Sequence, residues 1–194
     1  SLVRMVDQFI DRSKDSDSGF FLNDLDHLEQ LLRQKQKESK PTLLLGVSFA
    51  LWDLAEKFPQ DLSNIIIMET GGMKGRRKEL IRSDLHYIFK QAFKVESIHS
   101  EYGMTELFSQ AYSQGNGIFN PSRTMRVLAR ELEDPFKAAR SGKSGGLNII
   151  DLANLNSCAF IETQDLGRVY ENGTFEVLGR FDRAEIRGCN LMLG

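Results

Sequence analysis

Cysteine is scarce in this 194-residue sequence: only Cys158 and Cys189 occur, and neither belongs to a CxxC pair. That usage argues against a disulfide scaffold and fits a reducing, cytoplasmic setting. The three histidines, His27, His86 and His99, are scattered without metal-ligand spacing. No zinc site and no Ser-His-Asp set can be read. Long apolar runs are missing too. TLLLG at 42–46 and NIIIME at 64–69 have the length of buried strands, far short of the roughly 18 residues a membrane span needs. Charge of one sign is not in excess: 25 basic and 27 acidic residues are interspersed, for a formal net charge of −2. No global field therefore recruits nucleic acid or an anionic membrane. The start, SLVRMVDQFIDRSKDSD, lacks the basic, apolar and small-residue order of a secretory signal. Repeats, heptads and low-complexity tracts are absent.

What is present is the patterning of an α/β protein. Leu25, Leu28 and Leu32 fall at helical spacing over 24–38, with Asn23 or Asp24 as cap and Lys40-Pro41 as terminator. A strand at Thr42–Leu45, a helix over 48–58 carrying Trp52, a β-branched strand at Asn64–Glu69 and a helix over 78–93 follow. In that last helix Ile81, Leu85, Ile88, Phe89 and Ala92 make one apolar face. A strand at Val95–His99 closes the series. Strand and helix alternating in this way predict a mostly parallel sheet covered by helices. Beyond about 115 the character changes. GNGIFNPSR and RSGKSGG read as loops, and strands are expected at Leu147–Asp151, Cys158–Thr163 and Thr174–Gly179, with a hairpin through Glu171-Asn172-Gly173. The expectation is an α/β layer over 1–115 and a smaller strand-rich subdomain over 116–194.

Ligands of open α/β sheets bind outside the carboxyl ends of the strands, so the loops leaving those ends carry the chemistry. One is Met68-Glu69-Thr70-Gly71-Gly72-Met73-Lys74-Gly75. Paired glycines let the backbone approach a ligand closely, and equally serve a tight strand-to-helix turn that binds nothing. Lys74, Arg76, Arg77 and Lys78 beyond it read as a solvated helix start. The other is Glu101-Tyr102-Gly103-Met104-Thr105-Glu106. Within it lie a ring able to stack on a base, a flexible glycine, a hydroxyl for a phosphate oxygen and a carboxylate for Mg²⁺. Thr-x-Glu is also the chemistry of a plain helix start. His99 stands close to this loop.

Here the sequence resembles a known group. YGMTE at 102–106 is similar to the signature of the acyl-adenylate-forming superfamily, which includes acyl-CoA synthetases, peptide-synthetase adenylation domains and luciferases. METGG at 68–72, GLNIIDLAN at 146–154, Thr163-Gln164-Asp165-Leu166-Gly167, and Gly179-Arg180-Phe181-Asp182 with Arg187-Gly188 resemble its other motifs, in the family's order. Gln164 replaces the usual glycine. The resemblance implies ATP and Mg²⁺ as partners of the site. It implies that Tyr102 stacks on adenine beside Gly103, that Thr105 contacts the α-phosphate, and that Glu106 binds the metal. Asp165 would hold the ribose hydroxyls, Arg180 the ribose or phosphate, Gly71 and Gly72 the pocket floor, and Asp182 the hinge to a lid. Read without the resemblance, Asp165 is a turn aspartate, and Arg180 and Asp182 form a hairpin-end salt bridge.

The superfamily's Ser/Thr/Gly-rich phosphate loop has no counterpart in residues 1–45, where SKDSDSG is acidic, and no lid lysine follows. The expectation is a fragment holding the second half of the large domain, inactive in adenylation by itself. The tail, Arg180-Phe181-Asp182-Arg183-Ala184-Glu185-Ile186-Arg187-Gly188-Cys189-Asn190, resembles the acyl-protein synthetase (LuxE) family, which loads an activated fatty acid onto a cysteine near its C-terminus. Cys189 is the matching position, and acyl-transferase and reductase proteins are the implied partners. A free thiol of pKa roughly 8.5 is only a few per cent ionised at neutral pH, and Arg183 and Arg187 would favour its thiolate. Cys189 also reads as a small buried residue after a glycine turn. Cys158, in an apolar strand, reads as core. The expected activity is an ATP-dependent acid–thiol ligase acting on a carboxylic acid, by the resemblance a fatty acid. An acyl- or aryl-CoA ligase, or a non-catalytic module that keeps the fold, are the alternatives.

Overall fold

The computed structural model describes residues 2–22, 24–71 and 80–181. The chain divides into two compact units, Ser1–Met104 and Thr105–Gly194.

The first unit opens with a helix that the sequence reading did not assign, α1 (Leu2–Ser13). Helix α2 (Leu25–Lys35) begins where cap chemistry places it. The Asp24 carboxylate accepts from the His27 backbone N–H at 3.1 Å, while Asn23 lies outside the described residues. The acidic segment between these helices is neutralised locally. Lys40 Nζ donates to Asp15 at 2.6 Å, holding that carboxyl below its usual range, and Lys35 lies 2.8 Å from Asp17. Then come β1 (Thr42–Val47), α3 (Ser48–Lys57), β2 (Ile65–Thr70), α4 (Arg82–Phe93) and β3 (His99–Tyr102). The strands are parallel in the order β1-β2-β3, with Val47 opposite Thr70 and Thr70 opposite Glu101. Parallel neighbours need a crossover, which α3 and α4 supply. The core joins Leu28, Leu32, Leu51, Leu54, Leu85, Phe89 and Phe93 of the helices to Leu44, Ile65 and Ile67 of the strands.

This is the expected parallel layer, with two differences. The strand runs look continuously apolar, yet burial alternates: Ile65 and Ile67 are buried while Leu43 and Ile66 are 47% and 44% exposed. The helices cover one face of these strands. The third strand also starts later than the expected Val95–His99. Helix α4 runs to Phe93, Lys94 turns the chain at φ 54°, and pairing with β2 begins only at His99. Tyr102 is therefore the last residue of β3 rather than part of the loop beyond it.

The second unit is antiparallel throughout. It contains β4 (Ala111–Ser113), β5 (Ile118–Pro121), β6 (Met125–Arg130), β7 (Ser144–Asp151), β8 (Phe160–Val169) and β9 (Phe175–Arg180), ordered β4-β5-β9-β8-β7-β6. Phe119 and Phe175 face each other across β5 and β9, with ring centroids 5.4 Å apart and neither side chain exposed. Leu147, Ile149 and Val127 extend that core. The hairpin through Glu171-Asn172-Gly173 forms as expected, closed by the Tyr170 N–H to the Thr174 carbonyl at 2.9 Å. Two expected loops are partly strand. Inside GNGIFNPSR, β5 pairs on both edges, and β7 starts at Ser144 within RSGKSGG, because cross-strand partners override weak local propensity.

Cys158 is a correction. It was expected as a core residue of a strand, but it is an exposed free thiol. Strand β8 begins only at Phe160, and Ala159 takes the buried position. Among the described residues no helix is long and apolar enough to cross a membrane.

Candidate functional site

At the carboxyl edge of β2 and β3, side chains that ordinarily seek water are buried together. Glu69 is 3% exposed. Ser48 Oγ, from the start of α3, donates to it at 3.0 Å, Arg82 Nε, from the start of α4, donates at 3.3 Å, and His86 Nε2 lies 3.5 Å away. Ser100 Oγ on β3 is 3.5 Å from the same His86 nitrogen. Burial opposes the charge on Glu69, but the His86 hydrogen bond, the Arg82 guanidinium and Ser100 outweigh it and hold the carboxyl below its usual range. One strand over, Thr70 Oγ1 donates to Glu101 Oε2 at 2.6 Å. Burial pushes the Glu101 carboxyl above its usual range; the Thr70 hydrogen bond works against that shift and the Glu69 charge with it. Adjacent strands thus hold one acid toward its ionised form and another toward its neutral form. Tyr102 follows, 8% exposed, then Gly103. Gly71 takes φ +31°, a value that side-chain-bearing residues rarely adopt. Sequence reasoning gave no role to the side chains of Glu69, Glu101, Ser48 or His86; for the two acids the signal was charge at the end of an apolar strand.

In the second unit, Thr105 and Glu106 open a cavity of about 390 Å³ shared with Phe108, Asn154, Cys158, Phe160 and Glu162. Both signature side chains are exposed, and neither has a hydrogen-bond partner among the described residues. The backbone behind them is firmly held. Asp151, wholly buried at the end of β7, accepts from the Phe108 N–H at 2.8 Å, the Ser109 N–H at 3.0 Å, Ser109 Oγ at 2.6 Å and the Ala153 N–H at 3.1 Å. Burial alone would raise its pKa; the Ser109 hydroxyl and these three amides reverse that and hold it low. Asn154 Nδ2 donates to the Glu106 carbonyl at 2.7 Å and the Cys158 carbonyl at 3.0 Å. The GLNIIDLAN segment therefore anchors the chain at Glu106 and just beyond it.

From the cavity wall at Phe160–Glu162, β8 runs on to Thr163-Gln164-Asp165. Arg130, 8% exposed, ties this stretch down. Its guanidinium donates to the Leu147 carbonyl at 3.0 Å, Asn148 Oδ1 at 2.6 Å and the Thr163 carbonyl at 2.8 Å. Gly146 makes room for it, since a Cβ there would collide with the guanidinium. Asp165 is the register partner of Arg180 across β8 and β9. Arg180 Nη2 donates to Gln164 Oε1 at 2.6 Å, so the glutamine that stands where the resemblance expects glycine engages Arg180. The structure thus brings Thr105 to Glu106, and Asp165 to Arg180. Gly72, Asp182 and Cys189, with Lys74, Arg76, Arg77, Lys78, Arg183 and Arg187, lie outside the described residues. A larger cavity, about 560 Å³ between β6 and the 170–173 hairpin, contains none of the expected residues. The chemistry favours the smaller one.

No family model and no curated protein matches this sequence. Solved structures do match in fold. ATP-bound MatB from Rhodopseudomonas palustris is 17% identical with a TM-score of 0.60, over 81% of this chain and 33% of that one. Coronafacic acid ligase from Pectobacterium brasiliense is 17% identical at 0.59, over 82% and 33%. A long-chain-fatty-acid-CoA ligase from Archaeoglobus fulgidus is 17% identical at 0.51, over 81% and 38%. This chain spans about a third of the length of such proteins. Its mixed α/β fold matches the fold of one part of these proteins.

Proposed function

We propose that this chain is part of an ATP-dependent, adenylate-forming ligase. It activates a carboxylic acid as its acyl-AMP with release of pyrophosphate, and then passes the acyl group to a thiol. One observation carries this reading: on a fold shared with acid ligases, the exposed Thr105 and Glu106 side chains line a cavity while buried Asn154 and Asp151 hold the Glu106 carbonyl and the Phe108 amide beside them. The residues present fit ATP and Mg²⁺. Mg²⁺ is bound through one or two carboxylates together with water and substrate phosphates, and the exposed Glu106 offers such oxygen. When bound, the ion would neutralise phosphate charge. Thr105 contacts the α-phosphate, Asp165 accepts from the ribose hydroxyls, and Arg180 offers its planar fork to ribose or phosphate. By the resemblance alone, Tyr102, whose ring is buried at the end of β3, would be the adenine partner, and Gly71, Gly72 and Gly103 would line the nucleotide.

The acceptor we infer is the Cys189 thiol, as in an acyl-protein synthetase acting on a fatty acid with acyl-transferase and reductase partners. Its sulfur attacks the acyl carbon, AMP leaves with the bonding pair, and the thiol proton goes to solvent. The likeness to CoA ligases supports CoA as the other acceptor.

The test uses the full-length protein with ATP, Mg²⁺ and a panel of radiolabelled carboxylic acids. Hydroxylamine-labile label on the denatured polypeptide, lost in Cys189→Ala, supports acyl transfer to that cysteine. Acid-dependent pyrophosphate exchange with no label moves the acceptor to CoA. Neither signal across the panel leaves a non-catalytic module.

A further inference from the structure

We propose that Asp151 and Asn154 are the positioning residues for Thr105 and Glu106, fixing through the backbone where the hydroxyl and carboxylate stand. This rests on the ligase reading of the same site. The two signature side chains make no hydrogen bond of their own among the described residues, so only their backbone can aim them. Among the described residues, the Glu106 carbonyl and the amides two and three residues beyond it are held by one segment. Asp151 takes the amides of Phe108 and Ser109 and the Ser109 hydroxyl, and Asn154 takes the Glu106 carbonyl. Asp151 also accepts from the Ala153 N–H, which closes the turn carrying Asn154 and makes both anchors one rigid element. The same Asn154 amide holds the Cys158 carbonyl, fixing the opposite cavity wall. Two bound carbonyls settle its orientation: Nδ2 faces both, and Oδ1 is left buried without a donor among the described residues. Charge-assisted bonds to backbone N–H are the stronger kind, and placement errors near 1 Å are costly at reacting centres.

The experiment compares Asn154→Asp, Ser109→Ala and Asp151→Asn in the full-length protein. Asn154→Asp sets a carboxylate against two carbonyl oxygens; Ser109→Ala removes one of the four donors to Asp151. For each, Mn²⁺ affinity in the presence of a non-hydrolysable ATP analogue, amide exchange at Phe108 and Ser109, and kcat and KM for pyrophosphate exchange are measured. Asn154→Asp is expected to weaken Mn²⁺ binding and raise the KM for nucleotide about tenfold, and to lower the melting temperature because it buries a carboxylate against two carbonyls. Ser109→Ala is expected to do so about threefold. If Asp151→Asn does not fold, these two carry the test. Faster exchange at Phe108 and Ser109 with Mn²⁺ affinity and KM unchanged overturns the proposal. Wild-type protein that binds Mn²⁺ and nucleotide but shows no pyrophosphate exchange sinks the ligase reading alone, and Mn²⁺ affinity still decides the positioning. No Mn²⁺ binding in wild type overturns both.

Discussion

Among the described residues, each unit buries one acid held toward its ionised form, and the two are stabilised by different means. Glu69 in the parallel unit is held by side chains, a hydroxyl from α3 and the Arg82 guanidinium and His86 ring from α4. Asp151 in the antiparallel unit is held by three backbone amides and one serine. A buried carboxylate needs partners in either case, because its desolvation costs several kcal/mol. Side-chain partners lock whole helices to a strand end, and substitution can replace them one at a time. Backbone partners fix a loop and cannot be mutated away. The unit that carries Thr105 and Glu106 uses the second solution.

Breaking the backbone-held acid should have the largest effect. Asp151→Ala orphans buried N–H groups and is expected to cost about 3–5 kcal/mol in denaturant unfolding. Glu69→Gln keeps its shape and two hydrogen-bonding atoms and is expected to cost about 2 kcal/mol. A double-mutant cycle with Arg82→Met should assign part of that to the ion pair. A Glu69 cost above that of Asp151 would invert the comparison. Both groups sit below their ordinary values of 4.5 and 3.8, so their contribution is complete above those values and is lost as pH falls through the lowered ones. The acid limb of the stability curve should flatten in either variant.

Gly146→Ala drives a methyl into the Arg130 guanidinium and is expected to cost about 1–3 kcal/mol. Glu101→Gln should have the smallest effect and the opposite sign. The Glu101 carboxyl is raised above 4.5, so its favourable contribution is complete below that value and declines as pH rises through the folded value. The amide still accepts from Thr70 and removes the titration. The variant should match wild type near pH 4 and exceed it at pH 7, by less than about 1 kcal/mol. Equal melting curves at both values would contradict the neutral-acid assignment.

Strand and helix alternation made the parallel unit legible, since Ile65 and Ile67 on β2 and Leu85 and Phe89 on α4 repeat at the periods of their elements. Strand β5 was not legible. Four residues closed by Pro121 carry little propensity, and only pairing with β4 and β9 makes them a strand. The short motifs marked Thr105, Glu106, Asp165 and Arg180. What holds them was hidden, because Asp151, Asn154 and Arg130 act across 17 to 48 residues of sequence. Cys158 was misread for a related reason: composition says apolar strand, whereas the Asn154 amide fixes a turn there.

The central claim is that Thr105 and Glu106 belong to an acid-activating site. It is tested most directly by acid-dependent ATP–pyrophosphate exchange in the full-length protein, wild type against Glu106→Gln. The account predicts exchange in wild type that falls by at least about a hundredfold in the variant, at equal thermal stability. Exchange that survives Glu106→Gln unchanged, or that is absent from wild type with every acid tried, would contradict it.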